Sequence, residues 1–312
     1  MKLFGILIIV ILGILFFILG SLFACFYITF YSKKRVEPDE NTFPIPDGDI
    51  YKPFRDHMVS WIKETRQMPC KELSIVSFDG LTLRGRYYEC TPTSPIEIMF
   101  PGYRGSAERD LSGGVQRCFK LEHNALIVDQ RAGGRSDGHI ISFGVNEAKD
   151  CRAWVDYAIN YFGPETKIIL TGISMGAATV MLTAGSPLPK KVIGVLADCG
   201  YSSAPDIIKK VIKDLKLPVN LLYPMVRLAG KLYGHFDLED ADVLAAVQNA
   251  TVPMIFIHGE TDDFVPHDMS KLLYENCPTK KLFVSVPGAG HGLGYPMNPE
   301  GYIAQVQKFW QG

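Results

Sequence analysis

The chain has 312 residues, 47% of them hydrophobic, and a formal net charge of −1. This length and apolar content suit one large domain with an appendage and argue against intrinsic disorder, while near-neutrality gives no electrostatic basis for binding nucleic acid. The seven cysteines (Cys25, Cys70, Cys90, Cys118, Cys151, Cys199 and Cys277) stand singly. An odd number without zinc or redox spacing reads as ordinary thiols.

In chain order, residues 3–31 carry no charge and are mostly Leu, Ile, Val and Phe. About 20 such residues cross a bilayer, and no small-residue exit site of a signal peptide is evident, so 1–31 is expected to be a single-pass membrane anchor. Lys33, Lys34 and Arg35 follow it, against Lys2 before it, which places the large domain on the cytoplasmic side by the positive-inside bias. Residues 32–69 are rich in proline and acid and read as a tether, with room for a short helix over 56–66.

The region 70–312 then alternates strand and helix signals. Runs 73–78 and 81–88 flank Asp79-Gly80 as a hairpin, and short apolar runs follow at 96–100, 125–128, 167–170, 192–197, 254–257 and 281–286. Helical patterns lie between them, as over 147–161, where Ala148, Cys151, Val155 and Ile159 share one face. The expected class is α/β: a mostly parallel central sheet with helices on both faces. Residues 201–248 hold no strand-like run but space Leu217, Val219, Leu221, Leu222, Met225, Val226 and Leu228 as helices do. They read as a helical cap insertion over one end of the sheet.

Ser174 sits between Gly172 and Gly176, just past the β-forming run. A serine on so tight a strand-to-helix turn projects its hydroxyl where a substrate can meet it, and it then needs a base and an orienting acid. His258-Gly259-Glu260-Thr261-Asp262-Asp263 follows one strand and Gly290-His291-Gly292 the next, in the order serine, acid, histidine. The turn after the third strand and the turn after the serine offer the backbone N–H groups of Tyr103 and Met175 to an oxyanion. Asp263 competes with Asp262 for the acid role. His258 reads as structural, the other histidines as surface or core residues, Asp129 and Arg131 as braces of a nearby loop, and Arg104 as a solvated arginine. No phosphate loop or metal-ligand spacing appears, so neither cofactor nor metal is expected.

Gly172-Ile173-Ser174-Met175-Gly176, the loop 129–136, the stretch 258–266 and Gly290-His291 together resemble the α/β-hydrolase superfamily. Within it the chain is similar to membrane-anchored bacterial serine hydrolases of the serine aminopeptidase-like and lipase-like branch. The resemblance implies the α/β-hydrolase fold, with Ser174 as nucleophile, Asp262 rather than Asp263 as triad acid, and His291 as base. Two positions depart from it: Ala132 stands where relatives often carry glycine, and the oxyanion turn opens with Pro101-Gly102 where His-Gly is commoner. The expected reaction is cleavage of a small-molecule carboxylic ester, a lipophilic acyl ester by the content of the insertion. Amide or peptide cleavage by the same triad is the alternative. A non-catalytic binding protein on this fold is a weaker one, since all three triad positions are filled. Two corollaries follow: removal of residues 1–35 leaves an active soluble enzyme, and the insertion walls the acyl pocket.

Overall fold

The structure is a computed structural model that describes residues 2–33 and 38–311. Lys34 and Arg35, on which the expected orientation partly rests, lie outside the described residues. Helix α1 (Lys2–Thr29) leads to a 3-10 turn (Asp49–Phe54) and α2 (Arg55–Gln67). The sheet then opens with β1 (Lys71–Val76) and β2 (Thr82–Tyr88) and continues through β3 (Ile96–Phe100), α3 (Ala107–Lys120), β4 (Asn124–Val128) and α4 (Glu147–Phe162). Next come β5 (Ile168–Ile173), α5 (Met175–Ala184) and β6 (Val192–Asp198). The connection to β7 (Met254–Gly259) carries α6 (Ala204–Asp214), α7 (Val219–Ala229), a π turn (Gly230–Gly234) and α8 (Val243–Gln248). The chain closes with α9 (His267–Asn276), β8 (Lys281–Val286), α10 (Gly294–Met297) and α11 (Pro299–Gln311).

The eight strands lie in the order β1-β2-β4-β3-β5-β6-β7-β8. Only the pairings of β1 with β2 and of β2 with β4 are antiparallel. The central strands β3 and β4 are buried at every residue, as parallel strands covered on both faces must be. The covering helices start where the sequence supplies caps. Ser106 accepts from Arg109 N–H at the head of α3, and Ser203 from Asp206 N–H at the head of α6, each satisfying one orphan donor of the first turn.

Two segments expected to be peripheral belong to the core. In α1 the residues from Phe4 to Leu19 face outward, but Leu22 and Phe26, with Phe30 just past its end, are buried. Their rings meet the insertion: Phe26 lies 5.6 Å from Tyr233 and Phe30 5.1 Å from Phe236, edge-on. Tyr103 Oη donates to Thr29 O at 2.7 Å, and Arg104 Nη2 to Ile28 O and Tyr31 O at 2.8 and 2.9 Å. Arg104 is therefore not the free, solvated arginine expected of it. It caps the carbonyl end of α1, where the helix dipole favours positive charge. This packing argues against the expectation that residues 1–35 are dispensable. Deletion of 1–20 should keep the fold and the hydrolysis of short esters. Deletion of 1–35 removes three core side chains, each contributing about 1.5–3 kcal/mol, and should lower the chemical-denaturation midpoint sharply. Equal midpoints for the two truncations would contradict this packing.

The second segment is the expected tether. Its residues 49–67 form the 3-10 turn and α2, which packs against α3 so closely that a Cβ on Gly113 would meet the Trp61 ring at 2.7 Å.

Candidate active site

The glycines around Ser174 have a steric cause. A Cβ on Gly172 would lie 2.1 Å from Gly176 O, and one on Gly176 would lie 2.0 Å from Phe100 O. No side chain survives such distances, so only glycine lets β5 turn this sharply into α5. Ser174 itself has φ 56° and ψ −118°, a strained backbone that recurs at functional sites. The turn is held by Ser174 N–H donating to Asp198 O at 2.8 Å.

The structure brings Ser174, His291 and Asp262 together. His291 Nε2 lies 3.0 Å from Ser174 Oγ, and His291 Nδ1 lies 2.7 Å from Asp262 Oδ2. Asp262 follows β7 and is buried, whereas Asp263 is exposed and offers its backbone carbonyl to Lys210. Asp262 Oδ1 accepts from Phe264 N–H (3.0 Å) and Val265 N–H (2.8 Å), while Oδ2 also faces His258 Nε2 at 3.1 Å. Burial opposes ionisation of Asp262, but the bonds from His258 and His291 outweigh it and hold the carboxyl well below the usual range. His258 is fully buried, with Nδ1 2.7 Å from Ser270 Oγ, and serves as a brace for the acid loop. His291 is held from behind by Tyr51, whose hydroxyl donates to His291 O at 3.0 Å.

The N–H groups of Tyr103 and Met175 have no protein acceptor among the described residues. Met175 begins α5, so its N–H is one of the orphan donors at a positive helix end. The turn bearing Tyr103 is fixed by Gly102 N–H donating to Asp110 Oδ2 at 3.0 Å, and a Cβ on Gly102 would come within 3.5 Å of Ser174 Cβ. Asp129 and Arg131 brace as expected. Asp129 accepts from Ala107 and Arg135 N–H, and Arg131 clamps Asp150 at 2.6 and 2.8 Å. Ala132 adopts φ 60°, a left-handed conformation that glycine takes more readily.

A cavity of about 230 Å³ lies beside Ser174 and His291. Its walls include Tyr51, Met58, Trp61 and Ile62 from the segment before the sheet, with Tyr103 and Phe264 also lining it. No residue of the insertion 201–248 lines it, so the wall expected from the insertion is supplied by residues expected to be a tether. Those residues carried a readable signal: Tyr51, Phe54, Met58 and Trp61 recur at helical spacing, which marks a segment that packs.

Two further groups lie against the triad. Cys199 Sγ is within 4.8 Å of ligand atoms on Asp262 and His291, and burial pushes its thiol well above the ordinary range, so it stays neutral. Asp198, at the end of β6, lines the cavity and accepts from Tyr302 Oη at 3.3 Å. Burial raises its carboxyl to about 6, even though His258 and Arg117 draw it down. A proton held more tightly in the folded state stabilises fully below the unfolded pKa near 3.8, and that stability is lost as pH rises through about 6. The loss amounts to about 3 kcal/mol. Asp198→Asn retains the bond from Tyr302 and cannot ionise, so its denaturation midpoint should gain on the wild type between pH 4 and pH 7.5. Parallel pH curves would contradict a strained Asp198 carboxylate.

Comparisons with known proteins agree with this architecture. The sequence model of a family described as "Serine hydrolase (FSH1)" matches residues 208–293, the part that carries Asp262 and His291. The chain is 26% identical over 264 residues to the uncharacterized protein YqkD of Bacillus subtilis (strain 168), an alignment covering 84% of this chain and 86% of that one. The esterase Pf2001 of Pyrococcus furiosus is similar in structure with a TM-score of 0.63 at 22% identity, over 80% of this chain and 94% of that one. Est1E of Butyrivibrio proteoclasticus, solved with ferulic acid bound, gives a TM-score of 0.61 at 22% identity, over 77% and 98% of the two chains. At such identities the likeness is one of fold.

Proposed function

We propose that this chain, which has the α/β-hydrolase fold and matches a serine hydrolase family model over residues 208–293, is a serine hydrolase that cleaves carboxylic esters through an acyl-enzyme on Ser174. The observation that carries this reading is the continuous bond line from Ser174 Oγ through His291 to buried Asp262, at 3.0 and 2.7 Å. His291 Nε2 takes the hydroxyl proton as Oγ attacks the ester carbonyl, and Nδ1–H stays on Asp262. The N–H groups of Tyr103 and Met175 stabilise the oxyanion, a contribution of roughly 3 kcal/mol per donor. His291 then protonates the leaving alcohol, and water repeats the cycle to release the acid.

The acyl group occupies the cavity walled by Met58 and Trp61. At about 230 Å³ it is smaller than the roughly 300–1,000 Å³ of pockets for drug-sized ligands, which fits a short or medium acyl chain. Helix α1 anchors the enzyme as a single span, with the domain on the cytoplasmic side. A panel of p-nitrophenyl esters from acetyl to decanoyl, run beside aminoacyl amides, tests the reading. Each methylene that finds the pocket should raise kcat/KM about fourfold, the equivalent of about 0.8 kcal/mol, until the pocket is full. Trp61→Ala enlarges the pocket and should move the optimum to longer chains. Preference for the amides, or an optimum unmoved by Trp61→Ala, would refute this substrate assignment.

A further inference from the structure

Helix α7 is apolar on two faces. Tyr223, Val226 and Ala229 point into the core. On its outer side Leu221, Pro224 and Leu228 are exposed at helical steps of three and four residues, and exposed Leu217 and Leu232 flank the helix at its two ends. Leu221 keeps 60% of its surface in the open. A helix with apolar residues on a second face buries only one of them in the core, and an exposed apolar stripe of this kind calls for a partner.

Depth identifies that partner. About 20 residues of helix cross the roughly 30 Å hydrocarbon core, so a span that starts at Phe4 leaves it near Phe23. Tyr233 meets α1 at that level: its hydroxyl donates to Leu19 O at 3.1 Å, and its ring stands edge-on to Phe23 at 5.5 Å. The π turn that carries Leu232 and Tyr233 is thereby fixed at the depth where tyrosines gather in membrane proteins. Lys213 and Lys216, exposed at the start of the stripe and without a carboxylate partner among the described residues, suit anionic headgroups.

We propose that the outer stripe of α7 lies in the membrane interface beside α1 as a second bilayer contact, so that the Ser174 cavity opens at the leaflet surface and takes an ester held in the leaflet. The cavity is tied to that side of the molecule at two points. Tyr103, which lines it, bonds Thr29 at the foot of α1, and Phe264, which also lines it, lies under Lys210 of α6 at 5.9 Å. The inference rests on the readings of α1 as a span and of Ser174 as the nucleophile.

The test uses the full chain in vesicles of phosphatidylcholine and phosphatidylglycerol with brominated acyl chains, which quench nearby indole fluorescence. Leu221→Trp should add a quenched component that the three native tryptophans do not give, as should Phe16→Trp in the span. Val76→Trp on β1 should add emission that is not quenched. Quenching at 16 without quenching at 221 overturns the proposal and leaves the span intact, and dimeric particles in that case assign the stripe to a second copy. Absence of quenching at both sites removes the span and the proposal with it. In a second arm, Leu221→Glu combined with Leu228→Glu should cut hydrolysis of vesicle-borne dioctanoylglycerol, whose medium acyl chains suit the pocket, at least tenfold while p-nitrophenyl acetate turnover holds. Undiminished hydrolysis of the vesicle-borne ester by that variant also overturns the proposal.

Discussion

Replacing Ser174 with alanine is expected to lower kcat on p-nitrophenyl esters by about 10⁵- to 10⁶-fold, which corresponds to about 7–8 kcal/mol of transition-state stabilisation. The variant loses the oxygen that attacks the carbonyl, and among the described residues no other hydroxyl hydrogen-bonds His291 Nε2. Folding should be untouched. Alanine keeps the Cβ that this backbone already tolerates at φ 56°, and the turn is held by the Ser174 N–H and not by the side chain. A thermal midpoint within about 2 °C of the wild type, measured beside the assay, separates loss of chemistry from loss of structure. Substantial activity left in a folded variant would place the nucleophile elsewhere.

The second large effect separates two adjacent acids. Asp262→Asn should cost about 10⁴-fold in kcat, and Asp263→Asn should change little. The geometry gives the reason. Phe264 and Val265 N–H both donate to Oδ1, so an asparagine must turn its carbonyl oxygen toward them and its NH₂ toward His291 Nδ1. The imidazole then has to accept at Nδ1 and carry its proton on Nε2, where it can no longer receive one from Ser174. The same NH₂ confronts His258 Nε2, so some loss of stability is expected as well. Asp263, exposed and joined to Lys210 only through its backbone carbonyl, has no such role. Effects of the opposite order would mean that the acid loop is out of register by one residue.

Much of this was legible in the sequence because it depends on local constraints. All eight strands lie within a few residues of their apolar runs, and β3 and β8 coincide with them; for β3 the cause is burial at every residue, which a strand covered on both faces requires. Gly172 and Gly176 announced the turn because backbone from neighbouring segments occupies the space a side chain would need. What the sequence concealed was long-range. Nothing local says that Tyr51 reaches across to the carbonyl of His291, 240 positions away, or that Trp61 walls the cavity. The helix over 56–66 was readable and forms as α2, but its docking against α3 and beside the cavity was not. The end of α1 was hidden by its own uniformity: an all-apolar helix does not reveal which turns face outward and which meet Phe236 and Tyr233. The role of Arg104 depends on that docking and was equally invisible.

The central claim is that Ser174 is the nucleophile activated by His291, and covalent labelling tests it most directly. The full chain treated with a fluorophosphonate should gain one adduct, located by peptide mass spectrometry on the peptide that contains Ser174. Ser174→Ala should gain none, and His291→Ala should label far more slowly because no base removes the hydroxyl proton. An adduct that persists in Ser174→Ala, or one mapped to another residue of the wild type, would contradict the account.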